Sequence, residues 1–256
     1  MRLVIDVGNT RTKWALADAA GSLSEFGVCM NADIAKAKLP LEEVTGAIVS
    51  NVAGSQMAEA LQALLKPLKA EFLKPTALAC GVKNNYLAPE KLGTDRWAAV
   101  VAAWQHTKHA TVVVNAGTAI TIDAISPSKK LAAGLGANAH LAVFLGGTIM
   151  PGLTAMQNSL ISNAAQLQAD KGIFAEFSTN TADAIESGCL NAVAGAIYLM
   201  FKRLEKQSGW LPKLVISGGD AHKIAQCLNQ QDLKLGVKQV IMMEDLVLRG
   251  LVLLSQ

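Results

Sequence analysis

Charge and aromatic rings are scarce in this chain of 256 residues. Only 17% of its residues are Asp, Glu, Lys or Arg, and 5% are Phe, Trp or Tyr. The basic residues are scattered and the formal net charge is +3. There is no dense basic stripe for a phosphate backbone and no aromatic interleaving for stacked bases, so nucleic acid is not an expected partner. Cysteine is sparse as well. Cys29, Cys80, Cys189 and Cys227 lie far apart, and no pair has metal-ligand spacing. They are expected as reduced, mostly buried thiols of a cytosolic protein. Long apolar runs are also missing. Asp6 interrupts the N-terminal run too early for the core of a secretory signal. Leu246 to Leu254 carries Arg249 and is too short to span a bilayer. The expectation is a soluble, cytoplasmic protein with no membrane partner.

What the chain has in excess is apolar side chains. They make up 51% of the residues, and the mean hydropathy is +0.31. That implies a large core and an apolar subunit interface as well. The length suits one large domain or two half-size lobes. Strand-like and helix-like stretches alternate. Strands are expected at Leu3 to Ile5, 47–50, Thr111 to Asn115, Ile120 to Asp123, Leu141 to Leu145 (ending at Gly146-Gly147), Leu214 to Ser217 and Val240-Ile241. Helices are expected at Ser55 to Leu65, Thr94 to His106, Leu153 to Leu167, Thr181 to Lys206 and at the C-terminus. This is an α/β chain.

The most informative stretch is Leu3-Val4-Ile5-Asp6-Val7-Gly8-Asn9-Thr10-Arg11-Thr12-Lys13-Trp14. An apolar strand ends on a carboxylate, a Gly-Asn turn follows, and a second apolar stretch begins at Trp14. An acid, a flexible backbone, a hydroxyl and a cation are therefore held on one tight turn. Backbone amides, Thr10 and Lys13 suit phosphate oxygens, and Asp6 suits a hydrated Mg²⁺ bridging them. The plain alternative is a hairpin whose Asp caps its own turn. Val113-Val114-Asn115-Ala116-Gly117-Thr118 repeats the pattern of Val4 to Thr10. Two such hairpins, one opening each half, suggest a duplicated architecture with a nucleotide between the lobes and a boundary near residue 110.

Leu92-Gly93-Thr94-Asp95-Arg96-Trp97 opens a helix. Thr94 or Asp95 caps it, or Asp95 takes a proton from a hydroxyl. Arg96 in a first helical turn opposes the dipole, so it either binds a carboxylate through its fork or is simply solvated. The residues alone leave both readings open. Gly146-Gly147 and Ser217-Gly218-Gly219-Asp220 permit close backbone approach or form plain turns. Tyr86 contacts a substrate or is a half-buried surface ring. His106 and His109 have helical spacing but lack a third metal ligand. Met242-Met243 and the tryptophans read as core.

Taken together, Asp6-Val7-Gly8-Asn9-Thr10, Gly93-Thr94-Asp95-Arg96, Gly117-Thr118-Ala119-Ile120-Thr121 and Gly147-Thr148-Ile149-Met150-Pro151-Gly152 make the chain resemble the type III pantothenate kinases of the acetate and sugar kinase/Hsp70/actin superfamily. The resemblance spans nearly the whole chain. It implies the two-lobed actin-like, ribonuclease H-like ATPase fold, with duplicated mixed sheets flanked by helices. Residues 1–110 would form an N-terminal lobe and 111–256 a C-terminal lobe, with the nucleotide cleft between them. It also implies a homodimer and ATP-dependent phosphorylation of pantothenate to 4′-phosphopantothenate, the first step toward coenzyme A.

By the same resemblance, ATP is held by Asp6, Val7, Gly8, Asn9, Thr10, Arg11, Thr12 and Lys13, with Thr118 from the second hairpin. Pantothenate is bound by Tyr86, Gly93, Thr94, Asp95 and Arg96, and by Thr181 reaching across the dimer. Asp95 is the candidate base, and Asp6 the Mg²⁺ residue acting through water. The family usually carries Asp where this chain has Asn115, at a monovalent-cation position, which leaves K⁺ or NH4⁺ binding in doubt here. The competing readings are a non-catalytic accessory or regulatory protein on the same fold, and a kinase of another small hydroxy acid.

Overall fold

A computed structural model describes residues 1–42, 44–66, 68–128, 141–163, 171–230 and 240–256. The chain folds as two compact units. One comprises Met1–Lys108, Ser128–Leu145 and Asp245–Gln256; the other comprises His109–Pro127 and Gly146–Glu244. Two segments beyond residue 110 thus belong with the N-terminal unit, where the sequence reading put all of 111–256 in a second lobe.

The first unit is built on a five-stranded sheet in the order β3-β2-β1-β4-β5. Its strands are β1 (Arg2–Val7), β2 (Arg11–Ala17), β3 (Leu23–Met30), β4 (Gly46–Asn51) and β5 (Ala70–Phe72). β1 runs antiparallel to β2 and parallel to β4. Alternation along β1 sends Leu3, Ile5 and Val7 into one apolar cluster, with Leu16, Val49, Leu61 and Leu65. Val4 goes to the other face, with Ala15, Ile48, Ala98, Leu248 and Leu251. Both faces are covered, which is why β1 reads as an unbroken apolar run. Helix α1 (Ser55–Leu64) brings Leu61 to the first cluster. Helix α2 (Thr94–Thr107) and a C-terminal helix, Leu246–Leu254, supply the second. These two helices pack so closely that a Cβ on Gly250 would collide with the Ala98 carbonyl oxygen. Short strands β6 (Leu78–Ala79) and β7 (Val82–Asn84) complete this unit.

The second unit repeats the plan. β8 (Thr111–Ala116) and β9 (Ala119–Pro127) form a hairpin, and β11 (Lys213–Ser217) lies parallel to β8 with β12 (Val240–Met242) beyond it. In the first hairpin, Asp6 is flanked by Lys13 and Ser50; in the second, Asn115 is flanked by Thr121 and Ser217. The repeat in sequence is therefore a repeat in topology. β10 (Ala142–Pro151) starts in the first unit, where Ala142–Phe144 pair with Val82–Asn84, and ends in the second. Among the described residues of the second unit, three helices follow: α3 (Leu153–Asn163), α4 (Thr181–Ser208) and α5 (Ala221–Gln230). The C-terminal helix is α6. The expected helix to Leu167 is described only to Asn163; 164–167 lie outside the described residues.

α4 is long and apolar enough to cross a membrane by length and composition. It packs on β8 and β9, burying Leu190, Val193, Ile197 and Phe201 at helical spacing. Asn180 starts it as a side-chain cap, accepting from the Asp183 N–H at 2.9 Å.

Several expectations change. β10 does not end at Gly146-Gly147 but runs through both. A Cβ on Gly147 would run into Asp123 Oδ1, so the glycine serves strand packing. Trp14, Trp97 and Trp104 are buried as core residues, but Trp210 and Met242 are exposed. Trp210 instead lies edge-on to His109. The four cysteines form no disulfide; Cys189 and Cys227 are buried, and Cys29 and Cys80 half-buried.

Candidate active site

The first hairpin turns at Gly8, whose N–H donates to the Arg11 carbonyl at 3.0 Å. This register sets Asp6 opposite Lys13 and Val7 opposite Thr12. Asp6 Oδ1 is buried and has no hydrogen-bond partner. Burial pushes its carboxyl up to about 7; Asp95 and Asp245 add to the rise, and Lys13 opposes it. Lys13 Nζ lies 3.7 Å from Asp245 Oδ1. Asp6 thus lies in the field of two other carboxylates and one ammonium.

The start of α2 resolves one question the sequence left open. Neither Thr94 nor Asp95 is the cap. The N-cap is Gly93, with no side-chain cap bond. Thr94 Oγ1 instead lies 2.9 Å from Ser50 Oγ, which ties the helix start to the end of β4. Asp95 Oδ1 accepts from the Arg96 N–H at 2.7 Å. Burial raises the Asp95 carboxyl, against the lowering by that bond and by the Arg96 guanidinium. A Cβ on Gly93 would stand 2.7 Å from Asp95 Oδ1, so a side chain there would displace this carboxylate.

Arg96 is not a solvated first-turn cation. It is 4% exposed. Its Nη1 donates to the Tyr86 hydroxyl at 2.7 Å. Its guanidinium carbon lies 5.6 Å from the Tyr86 ring centre and 5.9 Å from that of Phe144. Tyr86 stacks on Phe144 at 5.8 Å, with 17° between the planes. Tyr86, Asp95 and Arg96, chosen from the sequence, are thus brought together, and Phe144 joins them unforeseen.

Asn115 and Thr118 lie on the second hairpin, where the Gly117 N–H donates to the Ala119 carbonyl at 3.1 Å. Both glycine-rich segments close on this turn. A Cβ on Gly152 would collide with the Gly117 carbonyl oxygen, and one on Gly218 with that of Ala116. The close approach that those glycines permit is to the hairpin backbone. Thr181 is exposed at the start of α4.

Sequence reasoning missed Asp245, Ser50 and Asn31. Asp245 directly precedes the apolar C-terminal helix, at its N-cap position. It stands there at φ 52° with no side-chain cap bond. Asn31 Nδ2 donates to the Gly8 carbonyl at 2.7 Å, and Asn31 Oδ1 accepts from Thr12 Oγ1 at 2.8 Å. No local pattern announces either contact. Among the described residues, no three His, Cys, Asp or Glu side chains converge to hold a metal by themselves.

The family model for type III pantothenate kinase matches residues 2–203. A type III pantothenate kinase of Methylobacillus flagellatus is 42% identical over 252 residues, covering 97% of this chain and 95% of the relative. One of Nitrosospira multiformis is 37% identical, covering 99% and 90%. Among solved structures, a Campylobacter jejuni protein assigned to the Baf family of transcriptional activators superposes with a TM-score of 0.57 at 23% identity, covering 97% of this chain and 94% of its own; that likeness speaks for the fold alone. With its duplicated mixed sheets the molecule has the actin-like ATPase fold, and the chain belongs to the type III pantothenate kinases, which phosphorylate pantothenate with ATP in coenzyme A biosynthesis.

Proposed function

We propose that Asp95 is the general base of this reaction, that Tyr86, Gly93, Thr94 and Arg96 bind pantothenate, and that Asp6 to Lys13 together with Thr118 hold the ATP phosphates. The observation that carries this reading is the Tyr86–Arg96 hydrogen bond, which holds a planar cation next to Asp95 at one helix start. Arg96 orients the carboxylate of pantothenate, a geometry its fork matches and a point charge does not. Asp95 takes the proton of the primary hydroxyl as its oxygen bonds to the γ-phosphorus; the bond to the bridging oxygen breaks and ADP leaves. A carboxylate raised by burial is the stronger base for that step. Phosphoryl transfer asks for positioning and charge neutralisation, which Lys13 and the hairpin backbone supply.

The unpartnered, buried Asp6 Oδ1 fits a Mg²⁺ ion. Such an ion keeps several waters and needs only one or two carboxylates from the protein. It would neutralise charge on the β- and γ-phosphates. At Asn115 a neutral amide stands where the family usually has a carboxylate, so we infer a weak K⁺ or NH4⁺ site or none.

We also infer a homodimer. α4 exposes Thr181, Ala184, Gly188, Ala192 and Gly195 along one face. A groove of about 550 Å³, lined by Pro151, Met156, Leu160, Ile185 and Cys189, runs beside it. Small residues let a second helix approach closely and would bring Thr181 toward the partner's substrate. A soluble, cytoplasmic enzyme is the reading we adopt. Turnover of ATP against a panel of small hydroxy acids tests the assignment: pantothenate alone should support it. ATP turnover indifferent to pantothenate would overturn the reading.

A further inference from the structure

We propose that Asn31 is the positioning residue of the ATP-binding hairpin, holding the Gly8–Thr12 turn in its phosphate-binding form. The proposal rests on the reading of that hairpin as the phosphate site. Asn31 follows β3 and opens a short 3₁₀ turn, Asn31–Lys36. From there it makes three hydrogen bonds to the hairpin. Its backbone N–H donates to the Thr10 carbonyl at 3.0 Å. Its Nδ2 donates to the Gly8 carbonyl at 2.7 Å, and its Oδ1 accepts from Thr12 Oγ1 at 2.8 Å. Thr12 itself is fully buried.

The chemistry explains why an amide stands here. A carboxamide offers one donor and one acceptor on a rigid plane. Gly8 presents a carbonyl and Thr12 a hydroxyl, so Asn satisfies both at once. A carboxylate could accept from Thr12 but could not donate to Gly8. The carbonyls of Gly8 and Thr10 are among the groups of this turn that would repel a phosphate oxygen. Both are tied to Asn31, so the turn cannot swing them toward an anion without breaking these bonds. Within the turn the Gly8 N–H bonds the Arg11 carbonyl at 3.0 Å; because Gly8 is conformationally permissive, the bonds from Asn31 add a restraint from outside it.

The test compares Asn31→Ala and Asn31→Asp with the unmodified enzyme, with Lys13→Met as a probe of the hairpin itself. Steady-state constants for ATP and for pantothenate are measured beside Tm. Asn31→Ala should raise KM for ATP by about five- to fifty-fold, the effect of losing two hydrogen bonds, and leave KM for pantothenate within about twofold. Asn31→Asp should raise KM for ATP as well, since it cannot donate to Gly8 and adds charge near the phosphates. Should Asn31→Ala not fold, Asn31→Asp is judged by the same criterion. A merely structural Asn31 would lower Tm while both Michaelis constants stayed put or moved together, and that result overturns the proposal. If Lys13→Met raises KM for ATP while the Asn31 variants do not, the hairpin reading stands and the role of Asn31 falls. If Lys13→Met leaves it unchanged, the hairpin reading itself fails.

Discussion

At Asp6 the fold keeps a carboxyl group out of water, and this has a measurable pH signature. Its proton is held to about pH 7 in the folded protein, against 3.8 ordinarily, through burial first and the neighbouring Asp95 second. Below pH 3.8 the group is protonated in both states, and the folded state keeps its full advantage. As pH rises toward 7 the unfolded chain loses the proton first, so stability falls until the folded pKa is passed. In chelator, Tm of the unmodified protein should therefore drop more between pH 4 and 7.5 than that of Asp6→Asn; parallel curves would remove Asp6 as the source. Asp95→Asn should lower kcat by ~10²–10⁴-fold while ATP binding survives, checked by turnover and by ATP titration of the same variant. Near wild-type turnover would eliminate Asp95 as the base. Asn115 supplies a neutral oxygen where hard cations favour charged ones. Activity should then respond little to K⁺, and Asn115→Asp should create or strengthen the response. Strong K⁺ activation of the unmodified protein would mean that other oxygens build the site.

Among the elements, the crossing of α2 and α6 matters most for the site. α2 starts with Thr94, Asp95 and Arg96, the residues proposed to bind pantothenate, and Asp245, the partner of Lys13, immediately precedes α6. The two helices meet where Gly250 lies on the backbone at Ala98. A methyl group there cannot be accommodated without moving a helix. Gly250→Ala should cost about 1–3 kcal/mol and raise KM for pantothenate, read from thermal melts and steady-state kinetics. An unchanged Tm would show that the helices can separate at no cost. α1 and α5 are short helices, each burying one apolar side, with Leu61 and Ile224 fully buried.

For the whole molecule, the question is assembly. A 51% apolar chain leaves Ile149, Leu160 and Leu199 exposed, the last on α4 and the second on α3. Burial of these side chains against a second copy is the expected outcome. Sedimentation at micromolar concentration should give a dimer, and Leu199→Glu should yield monomers with reduced pantothenate turnover. A fully active monomer would refute a site shared between subunits.

Much of the candidate site's local geometry could be read directly from the chain because it is set by neighbours in sequence. The Gly8-Asn9 turn sets the register that faces Asp6 with Lys13, and Thr94 to Thr107 is helical by its own apolar spacing. The duplicated hairpins were legible for the same reason: each is a short pattern whose pairing is decided within a dozen residues. Tertiary structure decided the rest. Tyr86 reaches Arg96, Asn31 grips Gly8 and Thr12, and Asp245 returns from the far end of the chain to Lys13. The unit to which the last helix belongs was also beyond local reasoning, since an apolar helix can cover any open sheet face. Periodicity and turn chemistry act between neighbours in sequence. Contacts between distant segments depend on which buried faces fit together, and no local pattern records that choice.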